Sequence, residues 1–196
     1  MEIDLQAINS NEAYKLMSGS VIPRPIAWVS TVSAEGIYNL APFSFFTVAS
    51  RNPPMLLISI GPGVGDREGT MKDTLVNIKH MKEFVINIVP YSLGGSMQRT
   101  SENVLSHVDE FVLGNLTPIP STKINVPRVG ESPISFELTL DRIIELGTDS
   151  VVIGKIVNYF IDDKLYQGNF KVDQKSLDAL GRLAGIYTRI DEFFSF

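Results

Sequence analysis

Residues 134–145 and 150–162 are two long runs rich in β-branched and aromatic side chains, joined by a turn around Gly147. Together they read as one long antiparallel hairpin. Shorter strand signals precede them at 26–32, 55–60 and 84–89, with turns at 33–36 and 51–54. Helical signals are few and short. One covers 11–17, with Asn9 or Ser10 as N-cap and Gly19 as its stop. A second opens at Lys72-Asp73-Thr74, with Asp73 as N-cap and Leu75, Ile78 and Met81 along one face. A third spans 92–108, with Ser92 as cap; 114–133, with four prolines, reads as loop, and 168–196 as a mixed tail. Strands at hairpin spacing without long alternating helices predict a mainly β, antiparallel fold with a few short helices. Rolling such a sheet into a small barrel hides its edges.

Composition excludes several kinds of chemistry. The 196 residues fit one domain, 1–196, and a hydrophobic fraction of 44% supplies a normal core. A formal charge of −5, from 22 acidic and 17 basic residues with no basic block, argues against nucleic-acid binding. With no cysteine there is no disulfide, no thiolate chemistry and no cysteine metal site. The two histidines, His80 and His107, lie far apart and in no zinc-binding spacing, so no metal is expected. The acidic start Met1-Glu2-Ile3-Asp4 has no secretory h-region, and no run reaches the ~18 apolar residues of a membrane span. A cytoplasmic protein without membrane contact is expected.

Residues 39–50 are the strongest candidate for chemistry. Ala41 and Pro42 are small or rigid and let a flat ring approach the backbone; Phe43, Phe45 and Phe46 add apolar surface, and Ser44 and Thr47 add hydroxyls. Mostly apolar walls with a few placed polar groups describe a pocket for a planar cofactor, although an aromatic run of this kind also suits barrel core. Pro42 argues against a central strand here. The second candidate is the start of the 72–81 helix. Free N–H groups, the Lys72 charge and the Thr74 hydroxyl suit a phosphate, while Asp73 is assigned to capping. Gly61-Pro62-Gly63-Val64-Gly65 lacks the spacing of a phosphate loop and reads as a mobile loop beside a substrate entrance. Arg24, Arg182 and Arg189 are further candidates for anionic groups, though single arginines are more often surface residues.

The order of these segments resembles the flavin-reductase-like family, which includes flavoredoxin-type FMN-binding split-barrel proteins. The segments are Arg24-Pro25-Ile26-Ala27-Trp28, Asn39-Leu40-Ala41-Pro42-Phe43-Ser44-Phe45-Phe46, Asn52-Pro53-Pro54, Lys72-Asp73-Thr74, Asp109-Glu110-Phe111 and Arg182-Leu183-Ala184-Gly185-Ile186-Tyr187. The resemblance covers roughly residues 15–190. It implies a split β-barrel of antiparallel, Greek-key type, working as a homodimer with FMN at the subunit interface. Asn39, Ala41, Pro42, Phe43, Ser44 and Phe46 would line the isoalloxazine. Ser59, Lys72 and Thr74 would hold the ribityl phosphate, and Arg182 and Tyr187 would lie near the flavin edge. The chain departs from the pattern at Thr47, Ala184 and Leu138, where many relatives carry Asn, Gly and Cys.

The activity implied is hydride transfer from NAD(P)H to flavin, then electron delivery to free flavin or another acceptor. No Rossmann fingerprint is present, so a nicotinamide would bind beside the flavin. The alternative is a non-catalytic FMN-binding electron carrier or flavin-holding protein. A pyridoxal-phosphate-related oxidase on a similar barrel would call for a more basic phosphate site. No residue is assigned a catalytic role.

Overall fold

The computed structural model describes residues 1–195. The chain opens with α1 (Ser10–Ser20), β1 (Arg24–Pro25), β2 (Ala27–Val32), β3 (Tyr38–Phe43), β4 (Phe46–Arg51) and β5 (Pro54–Ile60). Then come α2 (Asp73–Met81), β6 (Glu83–Ile88), α3 (Gly94–Arg99), α4 (Glu110–Gly114), β7 (Pro118–Ile119) and β8 (Arg128–Val129). The long strands β9 (Ile134–Leu146) and β10 (Asp149–Ile161) follow, and α5 (Gln174–Leu177), β11 (Leu180–Arg182) and β12 (Tyr187–Arg189) complete the set.

Seven strands form one antiparallel sheet in the order β3-β2-β6-β9-β10-β5-β4. Its two edges, β3 and β4, are joined by Ser44 and Phe45 alone. Strands at opposite ends of the sheet can be that close in sequence only if the sheet rolls on itself. At the seam the Ser59 N–H donates to the Phe45 carbonyl at 2.8 Å, and no ladder joins β3 to β4. This is the split barrel that the sequence predicts. Pro42 sits in β3, an edge strand, where its missing N–H costs no ladder bond.

The barrel interior is apolar. Ala27 and Val29 of β2 and Phe43 of β3 pack with Leu56, Ile58 and Ile60 of β5, Phe84 and Ile86 of β6, Leu138 and Val152, and α2 adds Leu75 and Ile78. A second core covers the other face of β2 and β3, where Ile26, Trp28 and Leu40 meet Met97, Phe111 and Leu180. All six residues of β2 are therefore buried.

Four local expectations change. Helix α1 carries a capping box, with Asn9 Oδ1 accepting from Glu12 N–H and Glu12 Oε2 from Asn9 N–H, each at 3.0 Å. It runs through Gly19 and closes when the Val21 N–H bonds the Met17 carbonyl at 2.9 Å. Helix α2 begins at Asp73, so the N-cap is Lys72 and not Asp73. The expected helix over 92–108 ends at Arg99, because Thr100 Oγ1 turns back to the Met97 carbonyl and accepts from Trp28 Nε1 at 2.8 Å. The proline-rich 114–133 segment holds the short β7–β8 hairpin. It is pinned by buried Asn87, whose Oδ1 accepts from Val129 N–H and Ser135 Oγ and whose Nδ2 donates to the Trp28 carbonyl.

Candidate functional site

Along the β3 edge lie two cavities that share Pro42 and Ser101. The first, about 210 Å³, runs between Asn39, Ala41 and Pro42, the loop residues Gly63, Val64 and Arg67, the start of α2 and residues 100–104. The second, about 310 Å³, is lined by Pro42, Phe43 and Ser44 with Tyr14, Gln98, Arg182, Gly185 and Tyr187. Joined end to end, they form a groove floored by the 39–44 segment. Nine of the eleven residues singled out from the sequence line it: Asn39, Ala41, Pro42, Phe43, Ser44, Lys72, Thr74, Arg182 and Tyr187. Phe46 packs against the barrel core, and Ser59 Oγ donates to Asp149 Oδ2 at 3.3 Å, so these two stand apart from the groove lining.

The α2 end is built for an anion. Helix α2 has no side-chain cap, so the N–H groups of Asp73 and Thr74 donate to no described residue. The Lys72 ammonium is half-buried and forms no hydrogen bond or ion pair with a described residue; it sits 5.5 Å from the Phe43 ring centroid. Burial pushes its pKa down, against a weaker opposing pull from Asp149. Asp73 is neutralised by Arg67, whose Nη2 lies 2.7 Å from Asp73 Oδ1. Arg67 also donates to the Val104 carbonyl, and Asn103 Nδ2 donates to the Val64 carbonyl at 3.0 Å. The glycine-rich loop is thus laced to residues 103–104 and walls this end. Gly63 is required there, because a Cβ would meet Thr70 Oγ1 at 2.8 Å and the Arg67 carbonyl closer still. An unpaired ammonium beside free helix N–H groups fits a phosphate.

The Thr74 side chain is spoken for. It is buried, and its hydroxyl donates to Asn39 Oδ1 at 2.8 Å. Asn39 Oδ1 also accepts from Thr31 Oγ1, Asn77 Nδ2 donates to that same hydroxyl, and Asn39 Nδ2 donates to Glu110. Asn39 and Thr74 therefore hold β3 and α2 together, and what Thr74 leaves free at the groove is its backbone N–H.

At the other end, Arg182 stacks over the Tyr187 ring at 4.5 Å, and Tyr187 Oη donates to Gln98 Oε1 at 2.7 Å. Both residues are delivered by the small β1-β11-β12 sheet, in which Arg24 pairs with Arg182. Arg24 is buried and spends its guanidinium on the carbonyls of Ser18, Val21 and Leu183 and on Ser44 Oγ. Arg189 is ion-paired with Asp178. Neither lines the groove. Among the described residues no cluster of side chains could hold a metal ion, and no helix is long and apolar enough to cross a membrane.

Sequence reasoning passed over Glu110 as a site residue. It lies at the start of α4 behind the cap Asp109 and contributes to the first cavity, yet it is 6% exposed. Only the Asp109-Glu110-Phe111 order hinted at it.

Comparison with known proteins identifies the family and the fold. Residues 17–174 match the family model of the flavin reductase like domain. An uncharacterized protein of Aquifex aeolicus is 37% identical over 187 residues, covering 95% of this chain and 94% of that one. The crystal structure of nitrilotriacetate monooxygenase component B from Bacillus cereus superposes with a TM-score of 0.95 at 33% identity, covering 100% of this chain and 98% of that one. The 2-nitrobenzoate 2-nitroreductase of Pseudomonas fluorescens gives a TM-score of 0.90 at 30% identity, covering 100% and 95%.

Proposed function

The chain belongs to the flavin-reductase-like family, and from that premise we propose that it is an FMN-binding oxidoreductase. It would pass electrons from NAD(P)H to flavin or another small acceptor and work as a homodimer, with residues 1–196 acting as one unit. FMN, when bound, supplies the redox chemistry. The observation that carries this reading is Lys72: a half-buried, unpaired ammonium at an uncapped helix start, in the same groove as the rigid Ala41–Pro42 floor. In this reading Lys72 and the N–H groups of Asp73 and Thr74 hold the phosphate. Ala41, Pro42, Phe43 and Ser44 bear on the ring system. Arg182 and Tyr187 border the open end, where a nicotinamide or an acceptor would enter. Similarity to a monooxygenase component and to a nitroreductase supports an electron-transferring role.

The test compares two ligands. Lys72→Ala removes a charge-assisted contact worth roughly 1.5–3 kcal/mol, which is about a ten- to hundredfold loss of FMN affinity. Riboflavin, which lacks the phosphate, should bind the variant as it binds the parent. Equal weakening of both ligands would give Lys72 a purely structural role. NAD(P)H oxidation with excess FMN then separates an enzyme from an electron carrier.

A further inference from the structure

Glu110 is a charged residue type placed where a charge is hard to keep. Its Oε2 accepts from the Leu40 N–H and from Asn39 Nδ2, while its Oε1 takes no hydrogen bond from a described residue. The side chain is more than nine-tenths buried and contributes to the cavity that holds Lys72. With Oε2 committed to two N–H donors, a proton on this carboxyl belongs on Oε1, the oxygen left to face the cavity. We propose that Glu110 acts as a neutral carboxylic acid whose Oε1 hydroxyl donates a hydrogen bond to the phosphate of the bound flavin. This rests on the flavin reading above and adds a proton-controlled ligand contact to it.

Charge balance in the cavity points the same way. Two cations, Lys72 and Arg67, and two anions, Asp73 and Glu102, line it, so an ionised Glu110 would tip the cavity negative and oppose a phosphate. The charges bearing on Glu110 are Asp73 on α2, Asp109 beside it as the N-cap of α4 and Arg67 on the loop; Arg99 of α3 reaches only the far end of α4, at the Gly114 carbonyl. Burial is the main cause that holds the Glu110 carboxyl at about 8 rather than 4.5, with Asp73 and Asp109 adding to it and the Leu40 N–H and Arg67 opposing it. The acid form therefore prevails at neutral pH and gives way just above it.

The test is fluorescence titration of the full chain with FMN and with riboflavin from pH 7 to 9. If only the acid form accepts the phosphate, FMN affinity falls about tenfold across this range, in step with the protonated fraction. Riboflavin affinity stays level. Glu110→Gln keeps an acceptor for the Leu40 N–H and a permanent neutral donor toward the cavity. It should bind FMN at pH 9 about as tightly as the parent does at pH 7. A parent that binds FMN with pH-independent affinity overturns the proposal and leaves the flavin reading standing. A fall that persists unchanged in Glu110→Gln also overturns it and assigns the proton to Lys72. A fall shared equally by riboflavin overturns the phosphate contact. No FMN binding at any pH, with intact circular dichroism, would instead defeat the flavin reading itself.

Discussion

Lys72 and Arg24 carry the same formal charge and do opposite things with it. Arg24 donates to three main-chain carbonyls and one hydroxyl, so it ties the end of α1, the β3–β4 corner and the residues after β11 together. Lys72 is left without a hydrogen-bond partner among the described residues, and that is what suits it to the phosphate role proposed for it. Glu110 gives the residue scale its clearest stability prediction. Its carboxyl is raised from 4.5 to about 8 in the fold. The native state therefore holds this proton more tightly than the unfolded chain. Its contribution is largest below the unfolded value and is lost as pH rises through the folded one. The slope in that window is at most about 1.4 kcal/mol per pH unit. Urea midpoints measured from pH 5 to 9 should drop more steeply for the parent than for Glu110→Gln. Parallel curves would mean that Glu110 ionises in the fold as it does in water.

At the scale of elements, length and pattern decide existence, while single tertiary contacts decide ends. The β9–β10 hairpin pairs from Ile134↔Ile161 to Asp149↔Leu146, with a shift in register between Ile153 and Gly154. Gly154 is there because its backbone presses on the core: a Cβ would meet Leu138 Cδ2 at 2.9 Å and the Phe84 ring closer still. Gly154→Ala should therefore destabilise the fold by about 1–3 kcal/mol through overpacking, read as a lowered urea midpoint with an unchanged m-value. A neutral result would show that Phe84 has room to move.

The whole molecule leaves apolar surface uncovered. On β5, Leu56, Ile58 and Ile60 point into the barrel, so Met55 and Leu57 stand on the opposite face. Across the ladder Ile153 pairs with Leu57, and Val151 pairs with Ile144, which is itself exposed. An apolar stripe on the outside of a sheet calls for a cover, and in the proposed homodimer a second copy of the chain would supply one at ~25 cal/mol per Å² buried. Light scattering should give twice the 21.7 kDa of one chain. A concentration-independent monomer with FMN bound would rule the homodimer out.

Strand and turn patterning by itself determined the antiparallel β architecture, because the period of apolar residues is a local property of the chain. The groove floor at 39–44 and the α2 helix start were legible for the same reason: rigid, small and charged residues sit in short segments with their own signatures. What only tertiary structure decided were partnerships made across the sheet. Thr74 spends its hydroxyl on Asn39, Asp73 its carboxylate on Arg67, and Thr100 ends a helix for the sake of Trp28. Phe46 and Ser59 fall outside the groove lining because they follow the seam where the sheet rolls, and that roll is a property of seven strands together. Glu110 lies 71 residues from Asn39 in sequence and beside it in space. No local pattern marks a carboxyl whose acid form is favoured chiefly by burial, with Asp73 and Asp109 adding to it.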